Sequence, residues 1–315
     1  MRWWTVMIAV LGGSLVAGAA VQPPVSAAVE RIADVPYAAT PNPRQTVDVY
    51  LPKTRSQGAR LPVVVFLHGG GWGAGSKDSG RALLQPYVES GKYAGVSVAY
   101  RLAGEAGWPA QIHDCKAAIR WIRAEAVRFG FDADRIGVVG NSAGGTLATL
   151  LGTSGGVADL EGEVGSYRQH SSRVTCVINR FGRLNFLAEP LSARAAPAQA
   201  KALAARLTTL LRGTLEERAD LARRASPVFH VGPDDPPVLT LHGTNDGLVP
   251  MVQAEEFDAA MKRTGAPHLL IRLVGAGHGF DHPEEKRRSR LFLDRHLRGV
   301  PADIPDTPIV VANKS

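Results

Sequence analysis

One serine of the chain has the surroundings that a nucleophilic hydroxyl needs. Ser142 is the centre of a Gly-Asn-Ser-Ala-Gly segment (140–144), after the apolar run Ile136–Val139 and before a run of helical pattern. A strand, a Gly-x-Ser-x-Gly turn and a helix in this order are typical of a nucleophile elbow, in which glycines permit a strained turn that lifts the hydroxyl above a sheet. The N-terminus of the following helix is the positive end of its dipole. We therefore predict that Ser142 is a nucleophile rather than part of a plain glycine-rich turn.

A glycine run earlier in the chain could stabilise the negative oxygen that nucleophilic attack creates. A His-Gly-Gly-Gly-Trp run begins at His68, directly after an apolar strand pattern. Backbone N–H groups of consecutive glycines can converge on one point because no side chain blocks the approach. We predict Gly70, Gly71 and Ala143 as oxyanion donors, with Gly69 as the alternative to Gly70. The run stays glycine-rich up to a Ser-Lys pair, but it lacks the Gly-Lys-Ser/Thr ending of a nucleotide-binding loop.

The general base and its acidic partner are expected later in the chain, in the order serine, acid, histidine. Asp246 follows the apolar run Val238–Leu241, and His278 follows the run Leu269–Val274. Both residues should reach the sheet edge at which Ser142 lies, where His278 could accept the serine proton and Asp246 could orient the imidazole. The predicted catalytic residues are Ser142, Asp246 and His278.

Other histidines and carboxylates are weaker candidates for these two roles. His282 lacks the flanking glycines that His278 has, and Asp281 and Asp258 follow no strand. His68 and His242 precede glycine turns, so structural hydrogen bonds are the simpler expectation for them.

The elements that must position these residues alternate between short apolar strands and amphipathic helices, a pattern that favours a mostly parallel sheet covered on both faces. The predicted strands are Gln45–Tyr50, Leu61–Leu67, Val96–Tyr100, Ile136–Val139, Val174–Ile178, Val238–Leu241 and Leu269–Val274, and the predicted helices are Ala110–Val127, Ala143–Leu151, Pro250–Arg263 and Glu284–His296. Gln45–Tyr50 alternates polar and apolar residues, as a half-exposed strand would. We predict an α/β fold of about eight strands. Residues 187–225 are rich in Ala, Arg and Leu and longer than a simple connection, so they predict a small helical cap.

Composition excludes several other classes of protein. The net charge is +7, but no aromatic residues interleave with the basic ones, which argues against nucleic-acid binding. Cys115 and Cys176 are the only cysteines. Two cysteines exclude a cysteine-based zinc site, and both read more simply as buried thiols than as a disulfide. We expect no metal and no organic cofactor, and the oligomeric state stays open.

The N-terminus has the composition of a secretory leader. Arg2 is followed by an uncharged run from Trp3 to Val21, and Ser26-Ala27-Ala28 offers small residues for cleavage. We predict a signal peptide over residues 1–28 and a single hydrolase domain over residues 29–315. The alternative is a permanent membrane anchor, since the apolar run is about long enough to span a bilayer.

Taken together, these motifs resemble the bacterial α/β-hydrolases related to hormone-sensitive lipase, and most closely the branch of bifunctional feruloyl and acetyl xylan esterases. The resemblance runs from about residue 45 to about residue 297. It is carried by His68-Gly69-Gly70-Gly71-Trp72, Tyr100-Arg101-Leu102, the segment 109–118, the Ser142 elbow, Ala225-Ser226-Pro227 and the turns at Asp246 and His278.

The resemblance implies the α/β-hydrolase fold, secretion from a bacterium or residence in its periplasm, and hydrolysis of acetyl or aryl-acyl esters of plant polysaccharide or of small molecules. Phe181-Gly182-Arg183-Leu184-Asn185 departs from the Phe-Gly-Pro-x-Asp of many relatives. The arginines of the predicted cap, together with Arg183, suggest a shallow acyl pocket for short acyl groups; the alternative is that they all face solvent and leave the pocket unchanged. The alternatives are amide hydrolysis by the same triad and a non-catalytic carbohydrate-binding protein of the same fold.

Overall fold

The structure, a computed structural model, describes residues 23–56, 58–188 and 197–311. Within these residues one sheet contains nine strands: Val29–Pro36 (β1), Thr46–Pro52 (β2), Leu61–Leu67 (β3), Ala94–Val98 (β4), Phe131–Asn141 (β5), Cys176–Arg180 (β6), Val238–Gly243 (β7), His268–Val274 (β8) and Ile309–Val310 (β9). Their order is β1-β2-β4-β3-β5-β6-β7-β8-β9. β2 pairs antiparallel with both β1 and β4, and every other pairing is parallel.

The strand number differs from the prediction of eight. The seven predicted strands correspond to β2–β8, with ends that shift by a few residues. β2 is fully buried rather than half-exposed, because β1 and β4 flank it in the sheet and both of its faces are covered. β1 is half-exposed and irregular in burial, so it shows no clean alternation, and β9 has two residues, too few for any period. Both edge strands form because their partners offer unpaired backbone groups: β1 pairs with β2, and Ile309 pairs with Leu273 of β8.

Nine α-helices accompany the sheet in the described part of the chain: Gly80–Glu89 (α1), Ala110–Ala124 (α2), Ala126–Phe129 (α3), Ala143–Thr153 (α4), Ala158–Glu161 (α5), Pro197–Leu211 (α6), Ala219–Arg224 (α7), Met251–Thr264 (α8) and Pro283–Arg298 (α9). The helix predicted over Ala110–Val127 is divided between α2 and α3, because Glu125 leaves helical geometry. Helix α1 was not predicted.

Both faces of the sheet are covered, which explains why its central strands are continuously apolar. Val63 and Val65 of β3 belong to a buried cluster with side chains of α2 and α4, whereas Val64 and Phe66 belong to a second cluster with side chains of α1 and α9. Successive side chains of a strand point to opposite faces, so each face of β3 requires apolar residues.

The segment predicted as a helical cap contains α6 and α7. Leu207, Leu210 and Leu211 of α6 are buried, and the N–H of Trp108 donates a 2.8 Å hydrogen bond to the Leu210 carbonyl oxygen. Residues 189–196 of the predicted cap lie outside the described residues. Helix α6 therefore packs on the domain next to the loop that precedes α2.

The predicted leader lies largely outside the described residues, which begin at residue 23. Among the residues that are described, no helix has the length and apolar character needed to cross a membrane. Cys115 and Cys176 are both buried and both free, as predicted from their apolar surroundings.

Candidate active site

Ser142 occupies a strained turn between β5 and α4. Its φ of 52° and ψ of −120° are rarely adopted by residues with a side chain. A Cβ on Gly140 would collide with the carbonyl oxygen of Gly144, and a Cβ on Gly144 would collide with that of Leu67. Glycine is therefore required on both sides of the serine, which is the local reason for the Gly-x-Ser-x-Gly spacing.

The structure brings the other two predicted residues to this turn. His278 lies four residues after β8 and Asp246 three residues after β7, both at the edge of the sheet where Ser142 stands. The imidazole Nε2 of His278 is 2.9 Å from the Ser142 Oγ, and its Nδ1 is 2.8 Å from the Asp246 Oδ2. A hydroxyl, an imidazole and a carboxylate thus form a continuous hydrogen-bonded chain.

The carboxylate of Asp246 is held from both of its oxygens. Oδ1 accepts hydrogen bonds of 2.8 Å from the backbone N–H groups of Leu248 and Val249. Oδ2 lies 3.4 Å from the Nε2 of His242, whose N–H donates to the Val249 carbonyl oxygen at 2.8 Å. Burial by itself raises the pKa of Asp246, but the hydrogen bonds from His242 and His278 outweigh it and hold the pKa well below its usual range. The group is therefore an anion at neutral pH, as an orienting partner for histidine must be.

A cavity of about 980 Å³ opens above the triad. Ser142, His278 and the three predicted oxyanion residues Gly70, Gly71 and Ala143 all line it. Gly70 and Gly71 have φ values of 121° and 57°, which let their loop turn tightly past the serine. Ala143 is the first residue of α4, so its N–H has no partner within the helix. Gly69 also lines the cavity, so the alternative to Gly70 stays open.

The arginines anticipated near the pocket have different positions in it. Arg183 is almost completely buried in the cavity wall and donates a 3.3 Å hydrogen bond to the Leu248 carbonyl oxygen, and burial lowers its pKa to about 10. Asn185 turns away from the cavity and donates to Glu256 of α8 at 3.1 Å. Arg206 of α6 is exposed, and its guanidinium lies close above Gly71. Two of the anticipated arginines, Arg183 and Arg206, therefore line the cavity.

The weaker candidates for the base and the acid make contacts that stabilise the fold instead. His282 caps α9 by accepting the N–H of Glu284, and Asp281 pairs with Lys286 at the surface. His68 stacks on Tyr100 with ring centroids 4.2 Å apart. None of these contacts leads to Ser142.

Asp258 forms a second arrangement that resembles the triad in its distances alone. Its Oδ1 is 2.8 Å from the Nδ1 of His268, and the Nε2 of that histidine is 2.9 Å from the Thr240 Oγ1. Thr240 is fully buried inside β7, so no substrate can reach its hydroxyl. What separates Ser142 from Thr240 is access to a cavity and the neighbouring N–H donors.

Besides Leu248 and Val249, which hold Asp246, sequence reasoning missed two residues that contact Ser142 and His278. The ring of Phe181 packs edge-on against His278 with centroids 5.0 Å apart, and Arg180 accepts the N–H of Ser142 on its carbonyl oxygen at 2.9 Å. Arg180 ends an apolar strand and Phe181 follows it directly, and this resemblance to the positions of Asp246 and His278 was a signal that could have indicated them.

A mostly parallel sheet with helices on both faces, and a serine on a tight turn between strand and helix, define the chain as an α/β-hydrolase. The sequence model of the BD-FAE family matches residues 47–261, so the chain belongs to this family. The sequence model of the dienelactone hydrolase family matches residues 230–295.

Similar proteins are named as esterases. The chain is 32% identical to esterase LipC of Mycobacterium tuberculosis over 242 residues, 76% of this chain and 58% of that protein. It thus spans little more than half the length of this relative. A solved truncated carbohydrate esterase from gut microbiota superposes with a TM-score of 0.76 at 30% identity, covering 85% of this chain and 96% of that one. Butyrate-bound esterase Est2 of Thermogutta terrifontis superposes with a TM-score of 0.65 at 25% identity, covering 85% of this chain and 91% of that one.

Proposed function

We propose that the chain is a serine carboxylic-ester hydrolase that acts through an acyl-enzyme. The observation that carries the proposal is the unbroken chain of hydrogen bonds from Ser142 through His278 to Asp246 at the base of an open cavity. The names of the similar proteins support the same reaction, since both the curated relatives and the solved neighbours are called esterases.

In the proposed reaction His278 accepts the proton of Ser142 as the serine oxygen attacks the ester carbonyl carbon. The N–H groups of Gly70, Gly71 and Ala143 stabilise the oxyanion, and His278 then returns the proton to the departing alcohol. In the second half of the reaction His278 accepts a proton from a water molecule as the water oxygen attacks the acyl carbon. His278 then returns the proton to the Ser142 oxygen, and the carboxylic acid leaves. Asp246 keeps the Nδ1 proton on His278 and stabilises the imidazolium without becoming protonated itself.

We further propose that the substrates carry acetyl or other short or aryl acyl groups, attached to plant polysaccharide or to small alcohols. The solved carbohydrate esterase and the butyrate complex of Est2 support short acyl groups on a sugar or similar alcohol. The arginines that border the cavity argue against a long apolar tunnel, because a buried methylene gains about 0.8 kcal/mol only against apolar surface. A secreted or periplasmic enzyme, released by cleavage after Ala28, fits a polymeric substrate that stays outside the cell.

The test compares the wild type with Ser142→Ala on acetylated xylo-oligosaccharide, methyl ferulate, 4-nitrophenyl acetate and an N-formyl anilide. We expect ester hydrolysis that Ser142→Ala reduces on the order of a millionfold, and stoichiometric labelling of Ser142 by a fluorophosphonate. Ser76→Ala is the matched control, because Ser76 lines the same cavity but donates its hydroxyl to Asp78 at 2.9 Å.

Three outcomes would contradict the proposal. Labelling at another serine would refute the nucleophile. Turnover of the anilide well above that of every ester would identify an amide hydrolase, and inactivity on all four substrates would favour a binding protein of the same fold.

A further inference from the structure

Arg180, the last residue of β6, joins three segments that meet beside the triad. Its side chain is 12% exposed. Nη1 donates to the Asn141 Oδ1 at 3.3 Å, and Nη2 donates to the Phe280 carbonyl oxygen at 3.1 Å and to the Glu285 Oε2 at 3.3 Å. One guanidinium therefore connects the end of β5, the loop that carries His278 and the first turn of α9.

On the serine side, Arg180 holds the nucleophile turn twice. Its carbonyl oxygen accepts the N–H of Ser142 at 2.9 Å, and its guanidinium binds the side chain of Asn141, the residue before the serine. Ser142 has a strained backbone that persists only where its surroundings enforce it. The contacts of Arg180 are part of that enforcement.

On the histidine side, Arg180 acts through two aromatic rings. His278 lies between two glycines, and the second, Gly279, has a φ of 108°, so the local backbone restrains the imidazole weakly. The Phe181 ring packs against His278 and, with centroids 5.1 Å apart, against Phe280. The guanidinium of Arg180 stands 5.0 Å from the Phe280 ring centroid and also binds the carbonyl oxygen of that residue.

Glu285 keeps the guanidinium in this position. The carboxylate is 3% exposed, and its other oxygen accepts a 3.3 Å hydrogen bond from the Ser289 hydroxyl. Burial raises the pKa of Glu285, and the charge of Arg180 opposes that rise. A lysine would keep the charge, but its three N–H groups radiate from one nitrogen. The planar guanidinium instead places Nη1 at Asn141 and Nη2 at Phe280 and Glu285, and a single ammonium does not reproduce that spread.

We propose that Arg180, held by Glu285, is a positioning residue that sets the distance between the Ser142 Oγ and the His278 Nε2. The inference rests on the proposed ester hydrolysis. Arg180 touches neither reacting group with its side chain, so its loss should lower kcat and leave KM nearly unchanged. A displacement of about 1 Å costs on the order of a hundredfold in rate.

The experiment measures kcat and KM with 4-nitrophenyl acetate, the rate of fluorophosphonate labelling and the melting temperature of Arg180→Met and Arg180→Lys. Arg120→Met is the matched control. Arg120 has a side chain that is 3% exposed, against 12% for Arg180, so it is buried at least as deeply. It pairs with Glu161 at 3.2 Å and donates to the Val164 carbonyl oxygen at 3.0 Å, away from the triad.

We expect Arg180→Met to lower kcat and the labelling rate about a hundredfold with KM within about threefold. Arg180→Lys should lie between Arg180→Met and the wild type, and millimolar methylguanidinium should partly restore Arg180→Met. Arg120→Met should lose stability but keep the wild-type kcat. If Arg180→Met does not fold, Arg180→Lys alone decides, and a kcat equal to that of the wild type overturns the proposal. Equal losses of kcat in Arg180→Met and Arg120→Met also overturn it.

A separate readout distinguishes failure of this inference from failure of the proposed function. The downfield proton resonance of the hydrogen bond between His278 and Asp246 reports the position of the imidazole whether or not an ester is hydrolysed. The resonance should persist in Arg120→Met and broaden or shift in Arg180→Met. A wild type that hydrolyses no ester refutes the function, whereas an unchanged resonance in Arg180→Met refutes the positioning role.

Discussion

Asp246→Asn should disable His278 as a base by changing the tautomer of its imidazole, and the contacts of Asp246 explain why. Oδ1 accepts two backbone N–H groups, from Leu248 and Val249, so an asparagine must keep its carbonyl oxygen there. Its NH₂ group then faces the Nδ1 of His278 and donates to it. The imidazole proton moves to Nε2, which can no longer accept the proton of Ser142.

The magnitude follows from the loss of the base. A wrong tautomer in a triad of this kind lowers kcat about ten-thousandfold, which corresponds to about 5 kcal/mol of transition-state stabilisation. The fold should survive, because the asparagine keeps both backbone hydrogen bonds of Oδ1. We expect a circular dichroism spectrum like that of the wild type, a KM within about threefold and the loss confined to kcat.

Asp258→Asn is the matched control for this prediction. Asp258 makes the same 2.8 Å contact to a histidine Nδ1, but its histidine bonds to the buried Thr240 rather than to Ser142. Asp258→Asn should lower the melting temperature and leave kcat within about twofold of the wild-type value, because a substitution remote from the reacting groups acts through stability. If Asp258→Asn abolishes activity and Asp246→Asn keeps it within tenfold, the assignment of the acid is wrong.

Three further predictions concern the pocket, the leader and the pH dependence of stability. Specificity constants on 4-nitrophenyl esters should peak at acetate or propionate, and a steady rise to octanoate would instead indicate a long apolar acyl pocket. Protein isolated from its native host should begin near Val29, whereas Met1 on membrane-bound protein would favour the anchor. Burial lowers the pKa of His68 from 6.5 to about 4 in the folded protein. As the pH falls below 6.5, His68 is therefore protonated in the unfolded chain before it is protonated in the folded one. His68 should therefore lower the free energy of unfolding by about 3 kcal/mol between pH 6.5 and pH 4. Burial also lowers the pKa of His230 and His296, so these residues add to the decline. Urea titrations over this range measure the decline, and His68→Asn should flatten it; equal slopes in both proteins would contradict the assignment to His68.

The sequence by itself determined the residues that meet above the sheet. Ser142 could be identified because its turn needs glycines at fixed positions, which is a local backbone requirement. Asp246 and His278 could be identified because each follows an apolar strand, and parallel strands end at one edge of a sheet. The central strands β3–β7 could be predicted for a related reason, since burial on both faces demands an apolar run, whereas β2 was predicted from the alternation of its polar and apolar residues. The catalytic roles of the three residues stay predictions for the assays above.

Only the tertiary structure decided which contacts hold those residues in place. The two edge strands depend on pairing with distant partners rather than on any pattern of their own, so the count of eight was wrong. Arg180 and Glu285 lie 105 positions apart, and no local spacing relates them. Thr240, His268 and Asp258 reproduce the distances of a triad around a hydroxyl that is fully buried inside β7. Residue type and local backbone geometry are written in short segments of sequence, whereas burial, long-range ion pairs and access to solvent depend on how the whole chain packs.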